Sequence, residues 1–414
     1  MDSRELKGLE IAARYKIIFK DGKWWVPSQS GKPPYGVILK PGEDSCPCDD
    51  FQLRKKPCKH IHAARIVRER DHGGEAAPPI DTDTLPIKKS GKQDWPKYNA
   101  AQMTEFQRFL VLLHDLVQGV EDPPQPKTGR RRTPMADMVF ASALKVFMTF
   151  SSRRYNFALQ YAIEKGYVSQ KKMHSVSVCA FLESDLMTPV LKKLIVQSSL
   201  PLVPVETVFA PDSSGFSVCR YVRWYDEKYG VHRSGKDWVK AHIMTGAKTN
   251  IVTAVEIEGR DAGDSPQFKP LVETTAQNFT IKEVPADKAY LSHENLALVD
   301  GLGGTAFIPY KSNSQPGEAG SLWEKMYLYF ALRREEFLTH YHQRSNVEST
   351  FWMVQSKFNP FVRSKTDVAM KNEVLCKFLC HNIVVVHQSQ IELGIEQVFW
   401  PNEQPVVLPF ALPG

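Results

Sequence analysis

No apolar run in these 414 residues approaches the roughly 18 residues that a membrane-spanning helix needs. No membrane partner is therefore expected. The opening MDSRELKGLE carries charge where a secretory leader would carry an apolar core, so a cytoplasmic chain is expected. Cysteine is scarce and odd in number, seven in all, with three crowded between Cys46 and Cys58. Such usage argues against a disulfide framework. A strong charge of one sign is also lacking, since the net is only +7. What the chain does have is 42% apolar residues, ordinary for a globular protein, and length enough for two or three domains.

The small positive excess is unevenly placed. Residues 127–193 hold 12 Lys and Arg against 4 Asp and Glu, an excess of 8 that accounts for the whole. Such a cluster is either a solvated basic face or the footprint of a polyanionic partner.

Residues 1–70 form a first unit. KWWVPS and YGVILK are expected as short strands, followed by a Cys-rich loop and the helix-forming HIHAARIVRER. Residues 71–100 lack any usable period and are expected as a linker. Residues 101–200 are expected to be a helical region. In it Phe106, Phe109, Leu110, Leu113 and Val117 recur at helical steps, and MADMVFASALKVFMTF, RRYNFALQYAIEKG and LMTPVLKKLIVQSS follow as further helices, Gly166 ending the second of these. Short basic helices joined by tight turns suit a helix-turn-helix contact with DNA. From 201 to 395 strand-like segments come first (VPVETVFAPD, the alternating SVCRYVRWYD, KDWVKAHIMTG, TNIVTAVEIEG), and helices and strands then alternate. That order predicts an α/β fold, a mixed sheet with helices on its faces. Residues 396–414 are left as a tail.

Cys46-Pro47-Cys48 is followed, after nine intervening residues, by Cys58-Lys59-His60. Two close pairs of such ligands can close a tetrahedral Zn²⁺ site and supply folding energy to a small unit. With its strands, CPC, CKH and helix HIHAARI, this segment resembles the SWIM zinc finger. The resemblance implies Cys46, Cys48, Cys58 and His60 as zinc ligands and leaves His62 as a packing or surface residue. Lys55, Lys56 and Lys59 favour nucleic acid as its partner.

Three carboxylates carry the chemistry. Asp212 and Asp287 each end an apolar strand-like run, and Glu348 lies in a helix-like segment whose buried side is expected to hold Phe351 and Trp352. Two Mg²⁺ ions about 4 Å apart, held by few hard oxygen donors, can cut and rejoin phosphodiesters. Tyr341, Arg344 and Glu348 stand three and four residues apart, which puts them on one helical face. Arg344 there is suited to hold a phosphate or to orient Glu348.

Over residues 130–395 the pattern resembles the DDE transposases of bacterial insertion sequences. The match rests on GRRRTPMADMVFASALKVF, DSSGF, KTNIVTAVEI, ADKAY and the Tyr-x-x-Arg-x-x-x-Glu run. The resemblance implies a ribonuclease H-like catalytic domain with Asp212, Asp287 and Glu348 as ligands of Mg²⁺ (or Mn²⁺). It implies double-stranded DNA, transposon ends and target, as partner, and at least a homodimer when two ends are brought together. It further implies a nucleoid-associated location. The DNA contacts would come from Arg130, Arg131, Arg132, Arg153, Arg154, Tyr341, Arg344 and Lys357, with Arg333, Arg334, Arg363 and Lys365 as further cations near the site. Only 60 residues separate Asp287 from Glu348, as in the compact-domain groups. One departure stands out. In such families the Glu is followed by six residues and then a Lys that contacts end DNA; this chain has Gln355 at that position, with Lys357 two residues on. Two residues turn a helix by about 200°, so Lys357 is no simple substitute.

Strand cleavage and transfer at transposon ends is the leading expectation. A transposase-derived DNA-binding protein that no longer transposes is the alternative, favoured by Gln355, and a nuclease without strand transfer is a third. Trp323, Tyr327 and Tyr329 are expected to pack rather than stack on bases. Cys376 and Cys380, one helical turn apart, are expected in a core; a second zinc site there would need His381 and His387.

Overall fold

The computed structural model describes residues 3–29, 33–40, 43–72, 94–125, 127–129, 131–218, 228, 230, 238–259, 263–311 and 314–400. Most of the expected linker, most of the alternating segment 217–226, and the tail beyond residue 400 lie outside them. The chain divides into two compact units. The first comprises Met1–Gly91, Ala286–Asp300 and Ala306–His342; the second comprises Lys92–Pro285, Gly301–Thr305 and Gln343–Gly414.

The first unit opens with helix α1 (Ser3–Arg14) and an antiparallel meander, β1 (Ile18–Lys20), β2 (Lys23–Val26) and β3 (Tyr35–Val37). Asp21 and Gly22 join β1 to β2 at φ 54° and 75°, the left-handed pair that a two-residue hairpin turn requires. Helices α2 (Asp49–Arg54) and α3 (Lys59–His72) follow. Ile11, Trp24, Val26, Val37, Ile61 and Ala64 form a small core. Helix α1 lies tightly on α3: a Cβ added at Gly8 would come within 2.5 Å of His62 Cβ. The hydropathy pattern signals β2, β3 and α3 but not α1, β1 or α2.

The second unit begins with α4 (Trp95–Gln118), whose Asp94 accepts the Lys97 N–H as a cap. Phe109, Leu110, Leu113 and Val117 are buried as their spacing predicts, whereas Phe106 stays 38% exposed. Helices α5 (Met135–Met148), α6 (Ser152–Glu164), α7 (Ser175–Leu182) and α8 (Met187–Ser199) follow. Gly166, at φ 78°, takes the left-handed conformation that stops α6. Strands β4 (Phe209–Val218), β5 (Trp238–Gly246) and β6 (Val252–Glu258) pair antiparallel. Helix α9 (Ser265–Ala276) leads to β7 (Glu283–Pro285), which bridges in parallel to the foot of β4 through Val208 and Glu283.

Apart from residues 301–305, the chain from Ala286 to His342 belongs to the first unit and forms a 3₁₀ turn (Lys288–Tyr290), α10 (His293–Gly301), β8 (Thr305–Phe307), α11 (Leu322–Leu332) and α12 (Arg334–Tyr341), after which the 3₁₀ turn His342–Arg344 leads back to the second. There Tyr327 is buried edge-on to Tyr310, and Trp323 stacks on His293, so these aromatics pack as expected.

Back in the second unit, α13 (Ser345–Phe358), β9 (Phe361–Val362) and α14 (Asp367–Leu393) complete the fold. The sheet order is β6-β5-β4-β9, with β9 parallel to β4, so the sheet is mixed and the fold α/β. Helices α4 to α8, α13 and α14 share one core with this sheet, including Phe109, Phe140, Leu194, Ile243, Phe351 and Phe378. Helix α14 is buried nearly all round. Its Cys376 and Cys380 are core residues, and its Asn382 bonds both the N–H and the C=O of Val252. No helix among the described residues is long and apolar enough to cross a membrane.

Candidate active site

Asp212 does not end its strand as its sequence context suggests. It lies in the middle of β4, because Ser213, Ser214 and Gly215 continue the ladder opposite His242, Ala241 and Lys240 of β5. An inner position of this kind holds a carboxylate rigidly. Its Oδ1 accepts the Ser213 N–H at 2.9 Å. Arg344 reaches both acids of this unit: one guanidinium nitrogen is 3.7 Å from Asp212 Oδ2 and another 2.6 Å from Glu348 Oε1. Burial pushes the Asp212 carboxyl above its usual range; the Ser213 N–H and Arg344 oppose this, while the charges of Glu348 and Asp264 reinforce it. A guanidinium therefore stands between two carboxylates whose negative charge a cation relieves.

Tyr341, Arg344 and Glu348 do not share one helix. Tyr341 closes α12 in the first unit, Arg344 ends a 3₁₀ turn, and Glu348 lies in the first turn of α13. The 3₁₀ turn breaks the phase that their spacing assumes. On α13 Phe351 is buried, but Trp352 is 70% exposed rather than packed. Asp287 belongs to the first unit, two residues after β7. It is half-buried, and its carboxylate caps the following 3₁₀ turn by accepting the Ala289 N–H at 3.1 Å.

Gln355 faces the strand that carries Asp212: its Nε2 donates to Ser214 Oγ at 3.2 Å and approaches Gly215 O at 3.5 Å. Lys357 points elsewhere, to an ion pair with Glu105 of α4 and onto the Phe147 ring. The two-residue shift thus separates their surroundings as helical geometry demands.

On the other side of β4 lies a group that the sequence did not signal. Asp264, just before α9, accepts a bond from Ser213 Oγ at 2.8 Å and pairs with Lys240 Nζ at 2.8 Å. Although burial acts to raise it, the bonds from Lys240 and Ser213 hold the Asp264 carboxyl below its usual range. Fully buried His242 is 3.5 Å away, and burial, with Lys240, lowers its pKa. The only hint in the sequence is the helix-opening Asp-Ser-Pro; its neighbour Ser213 is distant along the chain.

Of the remaining cations, Arg131 and Arg132 are exposed in the loop before α5, Arg153 and Arg154 are exposed on the first turn of α6, and Arg363 and Lys365 are exposed beside β9. Arg130 lies outside the described residues. Arg333 and Arg334 are exposed in the first unit, the former paired with Glu336 and the latter over the Phe330 ring.

In the zinc loop all four expected ligands are buried. Cys46, Cys48, Cys58 and His60 hold their ligand atoms within 4.8 Å of one another, the one set of three or more so gathered among the described residues. His60 Nδ1 lies 3.9 Å from the sulfurs of both Cys46 and Cys58. Hydrogen bonds from Cys46 and His60 pull the Cys58 thiol down to about 4 despite its burial, so one thiolate is already favoured. The hydrogen bond with Cys58 and burial push the Cys46 thiol up. Three soft sulfurs and one imidazole suit Zn²⁺ in a closed, structural role. His62, two residues further on, packs beside α1 at Gly8.

Residues 204–383 match the family described as Transposase DDE domain, and residues 33–64 match the SWIM zinc finger. No curated protein matches. Among solved structures, the chain is similar to a cryo-EM structure of the piggyBac transposase synaptic complex with hairpin DNA. Identity is 9% and the TM-score 0.33, over 72% of this chain and 76% of that one. A likeness that slight adds nothing to the assignment.

Proposed function

We propose, for a chain that carries a transposase DDE domain and a SWIM zinc finger and is on that ground a transposase, that Asp212, Asp287 and Glu348 together hold divalent metal for strand cleavage and strand transfer on double-stranded DNA. One observation carries this reading: Asp212 is raised by burial in the middle of β4, with Arg344 spanning from it to Glu348.

Carboxylate oxygens are the hard donors that Mg²⁺ or Mn²⁺ prefers. When bound, such ions supply an activated hydroxyl and stabilise the leaving oxygen. The chain's own groups do the rest. Ser213 fixes the Asp212 carboxylate through its N–H. Arg344 orients Glu348 and is placed to meet a phosphate. Arg130, Arg131, Arg132, Arg153, Arg154, Tyr341 and Lys357 hold the DNA, and the zinc finger, loaded with Zn²⁺, is a structural and binding module. The chain acts as a homodimer or larger assembly on two transposon ends, in the nucleoid of the cytoplasm.

Asp212→Asn is expected to lower cleavage of end DNA by several kcal/mol of barrier, about a thousandfold or more, with binding retained. Undiminished cleavage by that variant contradicts the assignment. Gln355, at the strand beside Asp212, favours the second reading, a transposase-derived DNA-binding protein. Tight binding of end DNA that stays uncut by the wild-type chain in Mg²⁺ and in Mn²⁺ supports that alternative.

A further inference from the structure

The second unit contains a cleft of about 1130 Å³ at the end of β4 remote from the foot strand. Lys145, Arg154, Arg363 and Lys365 line it, against one acid, Glu183. Hydroxyls of Thr149, Ser151, Ser152 and Ser217 add neutral donors.

One wall is held with unusual firmness. Ser217 and Val218 of β4 pair in parallel with Phe361 and Val362 of β9. From beneath, buried Glu373 of α14 accepts the N–H groups of Arg363 at 3.0 Å and Ser364 at 2.7 Å. One helical turn on, buried Lys377 donates to Asn359 O at 2.8 Å and Phe361 O at 2.7 Å. The segment that presents Arg363 and Lys365 is thereby fixed on two sides before any ligand arrives, which lowers the cost of ordering it on binding. Four cations drawn from three separate chain segments, around a space far larger than one phosphate, fit a repeating anion better than a single one.

We propose that this cleft takes the phosphate backbone of duplex DNA, and the proposal rests on the transposase reading above. Ser217 lies five residues beyond Asp212 on β4. At roughly 3.4 Å per strand residue that is about 17 Å, or about five base-pair steps of a duplex. A duplex lying along β4 would then be gripped on its flank about five base pairs from the bond at Asp212, through contacts that carry no sequence information.

The full-length, zinc-loaded chain tests this with a fluorescent duplex titrated over a series of salt concentrations. The double variant R154A/K365A is expected to bind at least about tenfold more weakly near physiological salt. Its log–log salt slope should be shallower by about two. Lys269→Ala, which removes an exposed cation of α9 paired with Glu273, should leave the slope unchanged. Cys179 lines the same cleft, so alkylation of its thiol by N-ethylmaleimide, followed by mass spectrometry, should slow when duplex is added. Unaltered slope with unslowed alkylation overturns the proposal. Protection by millimolar inorganic phosphate equal to that by duplex also overturns it, since the cleft would then be a site for free anions. Cleavage that survives Asp212→Asn is a separate failure: it removes the reading of the acids and leaves the binding result standing.

Discussion

At Asp212, burial and two neighbouring acids oppose ionisation, while Arg344 and the Ser213 N–H support it. The balance raises the folded-state pKa above that of the unfolded chain. The ionised acid therefore costs stability at neutral pH, and the cost vanishes once pH falls below the ordinary carboxylate range. Metal-free Asp212→Asn is accordingly expected to melt at a higher temperature than wild type at pH 7 and to match it under acid conditions. Added Mg²⁺ should raise the wild-type melting temperature and leave the variant nearly unmoved, which calorimetry can read directly. Cleavage should fall as pH drops through the raised range, because a protonated Asp212 no longer offers a charged donor. Asp212 and Asp287 stood out in the sequence because each follows an apolar run, and Glu348 because it lies in a helix-like segment. Asp264 was not, because its partners Ser213 and Lys240 come from strands that only the folded sheet brings to it. Trp352 misled for the converse reason: helical spacing names a face but cannot say how wide its buried stripe is.

Among the elements, β9 and α14 set the cleft wall. Lys377 is buried there and lowered to about 8 from its ordinary 10.5, chiefly by burial. Between those two values the unfolded chain binds the proton more tightly than the folded one. Stability is therefore expected to rise with pH across that window, and the penalty is complete below it. Denaturant titrations from pH 7.5 to 10.5 should show this rise in wild type and a flatter profile in Lys377→Met. Helix positions were largely legible, because α4, α5, α6 and α8 each repeat apolar residues at helical steps and several carry caps or left-handed stops. Short elements were not. Strand β1 is solvent-exposed throughout and carries no burial pattern to read. Helix α2 has no buried residue and is placed by the ends of a ligand loop. The break between Tyr341 and Glu348 escaped notice because a 3₁₀ turn alters phase without altering composition.

For the molecule as a whole, the zinc loop is the anchor of the first unit's small core, since Cys46, Cys48 and Cys58 are counted among its buried members. Chelation of zinc, or Cys58→Ser, is expected to remove about 10 kcal/mol or more of folding energy from that core. Hydrogen exchange should then report loss of protection across β2, β3 and α3, while the core shared by α14 and the sheet keeps its protection. The first unit is also assembled from three stretches of chain, and α11, nearly 250 positions further along, packs against α1 and α3. A cut at the linker would consequently strip α11 of its partners and leave greasy surface behind, so the finger is no detachable accessory: shuffling it between proteins would demand carrying a distant insert along with it.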